Sequence, residues 1–260
     1  MRRVWRAARA GVHALVGVAT TTFVFPLVRP STRRALVRHW SRKLLRVLAV
    51  EPRVRGRIDA HHGNLLIVAN HVSWLDIFVI NAHHPARFVA KAELAAWPLA
   101  GRLIRDTGTI FVERARRHDT RRVNDHAAQA LAAGDVVAVF PEGTTTHGDE
   151  VLRFHASLLQ PVVETQGHVQ PVALRYTDAQ GRRTRAPSYV GDESFATSFW
   201  RIRGERSIVV EVVAAPPLPA QHHDRRALAR SAESAIRTAL GLPASATAPG
   251  SHAGPAGAPR

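Results

Sequence analysis

Residues 53–240 predict an α/β domain, a mixed sheet flanked by helices, and residues 1–52 predict a membrane-associating helical region in front of it. Three observations carry this expectation. Six short apolar runs alternate with stretches of helical periodicity between Leu65 and Val213, the pattern of strands buried beneath helices. Residues 10–28 carry no formal charge, and a basic amphipathic stretch follows them. Of the 260 residues, 45% are hydrophobic and 22% charged, ordinary globular values that exclude disordered or collagen-like architecture for the body of the chain.

Taken in order, the run 10–28 contains seven Gly, His, Thr or Pro residues among nineteen, which places it near the lower limit for a spanning helix. It reads as membrane-inserted or interfacial. Arg2, Arg3, Arg6 and Arg9 give it a basic front, as in a secretory signal, but no convincing small-x-small cleavage site precedes Arg29, and the segment that follows is strongly basic, so it reads as retained. Ser31 is placed to cap a helix running to about Val50. On that helix Leu36, Val37, Trp40, Leu44, Val47 and Leu48 form an apolar face, beside a stripe of Arg34, Arg38, Arg42 and Arg46. An apolar segment followed by such a stripe suits an anionic lipid surface, because insertion and headgroup attraction add. From Arg57 onward, Leu65–Asn70, Arg87–Ala90, Thr109–Val112, Val136–Phe140, Val169–Leu174 and Ser207–Val213 predict strands, with helices near 74–82, 92–104, 119–133 and 151–164. A last helix runs from near His222 to Leu240. Residues 241–260 collapse to Ala, Pro, Gly and Ser and predict a disordered tail.

The absence of cysteine removes disulfides, thiolate metal sites and any cysteine acyl-enzyme. Thirty-four Arg and two Lys against 20 Asp and Glu give a net charge of +16, which favours anionic partners without choosing among them.

The sharpest chemical feature is Asn70-His71-Val72-Ser73-Trp74-Leu75-Asp76, at the end of an apolar strand, where α/β sheets present functional side chains. On one continuous helix, at roughly 100° per residue, His71 and Asp76 would lie about 140° apart. With His71 in the strand-to-helix turn and Ser73 as cap, the imidazole can fold back onto Asp76, giving a base with an orienting carboxylate. The bland alternative is a capping box, Ser73-x-x-Asp76, with His71 incidental.

At these residues the sequence resembles the glycerolipid acyltransferases typified by 1-acyl-glycerol-3-phosphate (lysophosphatidate) acyltransferase. The family's N-H-x-S-x-x-D is met by Asn70, His71, Ser73 and Asp76, and its G-x-I-F-V-x-R by Gly108, Ile110, Phe111, Val112 and Arg114. F-P-E-G-T stands as Phe140-Pro141-Glu142-Gly143-Thr144, and V-x-P-V-A as Val169, Pro171, Val172 and Ala173; the segment Lys91–Gly101 is also similar. The resemblance implies transfer of a fatty acyl group from acyl-CoA or acyl-carrier protein to a lysophospholipid hydroxyl, with no separate cofactor and no metal. It implies His71 as the base and Asp76 as its orienter. Arg114, Glu142, Gly143, Thr144 and Lys91 are then candidates for acceptor binding and positioning, Glu142 organising its loop or substrate contacts. Localisation on the cytoplasmic face of the inner membrane follows from the same reading.

Two departures bear on the acceptor. Where lysophosphatidate enzymes often carry Arg after E-G-T, this chain has Thr145-Thr146, and the F-K of L-x-x-F-K is Phe154-His155. Phosphate recognition could pass to Arg114, Lys91 or Arg153, or the acceptor could be another lysolipid. The EGTT form and Tyr189-Val190-Gly191-Asp192 look similar to members that include lyso-ornithine lipid acyltransferases.

Rival readings fare worse. A hydrolase using Ser73 with His71 and Asp76 lacks both the usual triad spacing and a G-x-S-x-G elbow. Fifteen histidines, including the pairs His61-His62, His83-His84 and His222-His223, invite a metal, yet adjacent histidines point apart and no H-E-x-x-H occurs. A non-catalytic nucleic-acid binder would explain the charge, but the arginines are spread out, with no aromatic platform or helix-turn-helix signal.

Overall fold

The computed structural model describes residues 2–58, 64–96, 100–112 and 117–244. Helix α1 (Arg2–Ala19) includes the basic front as well as the apolar run. A π turn (Thr20–Val24) and a 3-10 turn (Phe25–Leu27) then bend the chain. The cause is local: the hydroxyls of Thr20 and Thr22 bond back to the carbonyls of Val16 and Val18 at 2.7 Å each, which competes with the helical ladder, and Pro26 cannot donate to it. Helix α2 (Pro30–Leu48) starts on Pro30 with Arg29 as N-cap, so the expected cap Ser31 sits inside the first turn. It stops at Ala49, whose φ of 57° is left-handed and whose amide closes on the Leu45 and Arg46 carbonyls.

Val50, the expected end of that helix, instead opens a strand, β1 (Val50–Arg55), which runs across position 52. The remaining strands are β2 (Leu65–Ala69), β3 (Arg87–Lys91), β4 (Ile110–Val112), β5 (Val137–Val139), β6 (His168–Thr177), β7 (Ile208–Ala214) and β8 (Leu218–Pro219). They form one sheet in the order β1-β7-β6-β2-β5-β3-β4, with β8 paired to β6. All the pairs are parallel except β6 with β7 and with β8, so the sheet is mixed.

Alternation along β2 explains the layering. Leu65, Ile67 and Ala69 face one core with Leu44, Leu45 and Leu48 of α2 and Leu75, Val79 and Ile80 of α3 (Leu75–His83). Leu66 and Val68 face another, with residues of α5 (Arg117–Ala132) and α8 (Arg225–Leu240). All five β2 residues are buried, as a central strand covered on both faces requires. Asp224 caps α8, accepting from the amides of Arg226 and Ala227 at 2.7 and 2.8 Å.

Two expected helices are corrected, and one unexpected helix is present. The helix expected over 92–104 is a 3-10 turn (Ala92–Ala96) followed by α4 (Ala100–Asp106). Of the one expected over 151–164, residues 151–155 are in neither helix nor strand, and a 3-10 turn (Ala156–Leu159) and the short α6 (Gln160–Glu164) follow. There Glu142 accepts from Leu152 N at 2.8 Å and Glu233 from Phe154 N at 3.2 Å, which ties residues 152–154 to two distant segments. A helix absent from the sequence expectation, α7 (Phe195–Ile202), packs Ile202 into the first core. Most of the tail expected over 241–260 lies outside the described residues, as do His61 and His62.

Candidate active site

Strand β2 ends at Asn70, which is fully buried and takes over the strand's pairing with its side chain. Asn70 Nδ2 donates to the Leu174 carbonyl at 3.0 Å and its Oδ1 accepts from the Leu174 amide at 2.8 Å. The next three residues turn toward α3, and Asp76 in the first turn of that helix gathers them. Asp76 Oδ2 accepts from His71 Nδ1 at 2.8 Å, Val72 N at 2.8 Å and Ser73 N at 2.9 Å. The carboxyl is wholly buried while the imidazole keeps 20% of its surface open. An anion at a helix N-terminus with three donors on one oxygen is well supported. Asp76 thus combines the His–Asp pair with one half of the capping box, accepting from Ser73 N; the other half is not made, because the Asp76 amide donates to the Ser73 carbonyl and the N-cap of the helix is Trp74 instead of the expected Ser73. Ser73 adds its own turn, its hydroxyl accepting from Leu75 N at 3.2 Å.

With Nδ1–H donating to Asp76, the lone pair of the neutral ring sits on Nε2. The ring is held from the side by Phe140, stacked at 3.9 Å between centroids and 10° between planes, and Phe140 in turn stacks on Phe88 at 5.9 Å. The backbone of His71 is clamped as well: its amide donates to Glu142 Oε1 at 2.7 Å and its carbonyl accepts from Thr146 N at 2.9 Å. Position, tautomer and ring plane of one histidine are thus set by residues from three separate segments.

Glu142, Gly143 and Thr144 follow β5 directly. Both Glu142 oxygens are engaged by backbone amides, those of His71 and Leu152, so this buried carboxylate holds two stretches of chain together. Gly143 has a φ of +71°, and a Cβ there would come within 3.1 Å of the His155 ring. Thr144 is exposed. The residues at the two departures from the family pattern are structural: Thr145 donates to the Tyr189 carbonyl, Thr146 Oγ1 accepts from Gly148 N at 3.1 Å, and His155 lies against Gly143. Pro171 is buried in β6 opposite Val68. Arg114 and the side chain of Lys91 lie outside the described residues; Lys91 closes β3, its backbone in register with Val112. Among the described residues no three His, Asp or Glu side chains converge as metal ligands.

Four contributors were not expected from sequence. Tyr176 on β6 donates its hydroxyl to Asp76 Oδ1 at 2.7 Å. Leu152 supplies an amide to Glu142, Phe140 a stacking face, and Tyr189 an amide to the Val72 carbonyl at 3.0 Å. Their partners lie 10 to 117 residues away, so no local pattern marks these contacts, although Phe140 and Tyr189 both belonged to segments singled out for their resemblance to the family.

Burial raises the Glu142 carboxyl to about 7, against the opposing pull of the two amides that it accepts, with Asp76 and Glu150 adding to the rise. A carboxyl whose folded value exceeds its unfolded value of 4.5 binds more protons when folded, so its contribution to stability is lost as pH rises from 4.5 through about 7. At about 1.4 kcal/mol per unit this amounts to about 3 kcal/mol. Urea unfolding of wild type and Glu142→Gln across pH 4.5–8 should show the difference between them shifting by that order toward the variant as pH rises; a constant difference would contradict it.

A family model described as Acyltransferase matches residues 51–175, from β1 to the Arg175 beside Tyr176. The chain is 41% identical over 209 residues to the lyso-ornithine lipid O-acyltransferase of Pseudomonas aeruginosa, covering 80% of this chain and 79% of that one. It is 35% identical over 212 residues to the 1-acyl-sn-glycerol-3-phosphate acyltransferase of Neisseria meningitidis serogroup B, covering 81% and 83%. The fold is similar to that of the crystal structure of the 1-acyl-sn-glycerophosphate (LPA) acyltransferase, PlsC, from Thermotoga maritima. The two superpose with a TM-score of 0.62 at 21% identity, over 91% of this chain and 96% of that one. A matched family model and relatives of this identity over four-fifths of the chain lead to one conclusion: this protein is an acyltransferase and belongs to that family.

Proposed function

We propose that the protein transfers a fatty acyl group from a thioester, acyl-CoA or acyl-carrier protein, to the free hydroxyl of a lysophospholipid, 1-acyl-glycerol-3-phosphate giving phosphatidate. The observation that carries this reading is the oriented imidazole, Nδ1 held 2.8 Å from the buried Asp76 carboxylate. In this scheme His71 Nε2 accepts the acceptor's hydroxyl proton as that oxygen forms a bond to the thioester carbonyl carbon. The C–S bond then breaks, and the proton on Nε2 passes to the departing sulfur. Asp76 stabilises the transient imidazolium, so no covalent enzyme intermediate is required. Arg114, Lys91 and Thr144 are proposed to receive the acceptor headgroup, with Gly143 giving close backbone approach and Glu142 holding the loop that carries Gly143 and Thr144.

A second reading, with lyso-ornithine lipid as acceptor, is favoured by Thr145 and His155, which stand at two expected cation positions and are used in the loop's own packing. The 41% identity to the Pseudomonas enzyme points the same way. Acyl transfer assayed with each acceptor against each donor decides between them. Product from lysophosphatidate supports the first reading; product from lyso-ornithine lipid alone replaces the substrate and keeps the mechanism.

The N-terminal region supports membrane association, and an interfacial position on the cytoplasmic face of the inner membrane is proposed with it. Arg3–Leu27 is long and apolar enough to cross a membrane, its most apolar 18-residue window having a mean hydropathy of 1.5. Yet α1 is pinned to the body along its length. Arg6 donates to the carbonyls of Arg203, Glu205 and Arg206. Further along, His13 and Trp40 exchange hydrogen bonds with each other's carbonyls at 2.9 and 3.0 Å and stack at 4.6 Å. The opposite face exposes Val4, Trp5, Val12, Leu15 and Val16, an arc of about 120° at ~100° per residue, continued by Phe23 and Leu27. Such a helix, packed on one side and apolar on the other, suits one leaflet. Replacing Trp5, Phe23 and Leu27 together by Ser should lower flotation with phosphatidylglycerol-containing vesicles at least tenfold, since each large apolar side chain contributes about 1.5–3 kcal/mol when buried. Unchanged flotation would refute the placement.

A further inference from the structure

We propose that Tyr176 is a positioning residue of the acyl-transfer site, setting the orientation and charge distribution of the Asp76 carboxylate and through it the basicity of His71. This rests on the reading of His71 and Asp76 as base and orienter. Asp76 divides its work between two oxygens. Oδ2 carries three donors, the His71 ring and the amides of Val72 and Ser73. Oδ1 faces the opposite way, into the core beside β6, and accepts from the Tyr176 hydroxyl at 2.7 Å. Tyr176 is 4% exposed and Asp76 not at all, so water does not substitute for the phenol, and a buried carboxylate oxygen left without a donor is costly.

The tyrosine is itself precisely delivered. Two residues earlier on the same strand, Leu174 exchanges both backbone bonds with the Asn70 side chain, and Tyr176 stands in register with Val210 of β7. The catalytic turn is therefore docked to β6 at two points two residues apart, one before His71 and one through Asp76. Burial and the adjacent carboxylate keep the phenol a hydrogen-bond donor well beyond its ordinary range. Donation to Oδ1 draws negative charge away from Oδ2 and tempers its hold on a protonated His71. Without it the imidazolium is stabilised to higher pH, and the free base needed for proton abstraction appears later in a titration. The other ionisable groups around this cluster are Glu142 across the His71 backbone and His147, Asp149, Arg175, Arg183 and Arg185, which line the same small cavity as Tyr176. Of these, Glu142 feels the Asp76 charge, so the pH–rate profile is read against that of Glu142→Gln, in which this second group cannot titrate.

The test uses the full-length protein. Tyr176→Phe keeps the ring and removes one oxygen. The expected result is a roughly tenfold fall in kcat, an acceptor KM changed by less than about twofold, and an acid limb of the pH–rate profile moved up by about half a unit or more. As a second probe, fluorotyrosine incorporated in a Tyr189→Phe background labels Tyr176 alone, because the chain has two tyrosines. The more acidic phenol donates more strongly and should move the acid limb down. An unshifted profile in both proteins, or a fall in kcat that tracks lost folded fraction with the limb in place, overturns the proposal. His71→Ala assayed in parallel separates the two levels: if it stays active, the reading of the base fails; if it is inactive while the Tyr176 profiles are unshifted, only the role of Tyr176 fails.

Discussion

His71→Ala is expected to lower acyl-transfer kcat by about 10³-fold or more while leaving the protein folded, because an unaided alcohol is a poor nucleophile toward a thioester and general-base catalysis supplies roughly 10²–10⁴. The structure explains why the fold should survive. The imidazole is partly open, its principal packing is the single stack on Phe140, and the backbone bonds at position 71 do not depend on the side chain. Asp76 would retain Val72, Ser73 and Tyr176 as donors, so its buried charge stays compensated. Loss of the stack costs about 1 kcal/mol, within reach of a thermal melt. Activity within tenfold of wild type in a folded variant would remove His71 from the mechanism.

Asp76→Asn should cost about 10²–10³ in kcat with little change in acceptor KM. The amide is isosteric and fits the hydrogen-bond pattern: its oxygen can face the three donors now on Oδ2, and its NH₂ the Tyr176 oxygen. His71 then keeps its tautomer, and what is lost is the negative charge that stabilises the imidazolium. Two backbone amides also exchange a charged acceptor for a neutral one, which lowers stability by about 1–3 kcal/mol. Asp76→Ala is the less informative variant, since it leaves several buried donors unsatisfied and threatens the fold itself. The kcat-against-KM split is the decisive readout: a rise in KM with kcat unchanged would make Asp76 part of acceptor binding instead.

The pair His71–Asp76 was legible because its components are close in sequence and lie where an apolar strand ends. The continuous apolar run of β2 and the apolar faces of α3, α5 and α8 were legible for the same reason, since burial on both faces of a strand or one face of a helix leaves its mark within a short stretch of sequence. The shortened helix over 151–164 marks the limit. Its apolar spacing was helical, but residues 151–155 lie outside any helix, where Leu152 and Phe154 give their amides to carboxylates at 142 and 233, contacts that no local spacing records. Strand β1 was missed because only Val50 among its six residues is buried, an edge strand that shows no periodic signature.

The sequence by itself therefore determined the family, the α/β layering and the two side chains on which the chemistry is proposed to turn, all of them properties written in short spacings. Only the tertiary structure decided how that histidine is held. Tyr176 and Glu142 reach the catalytic turn from 100 and 71 residues away. Phe140 stacks on the imidazole from 69 residues away, and α1 is pinned to carbonyls about 200 residues distant. These contacts exist because parallel crossovers bring the carboxyl ends of separate strands to one edge of the sheet, and no local pattern of residues records which side chains meet there.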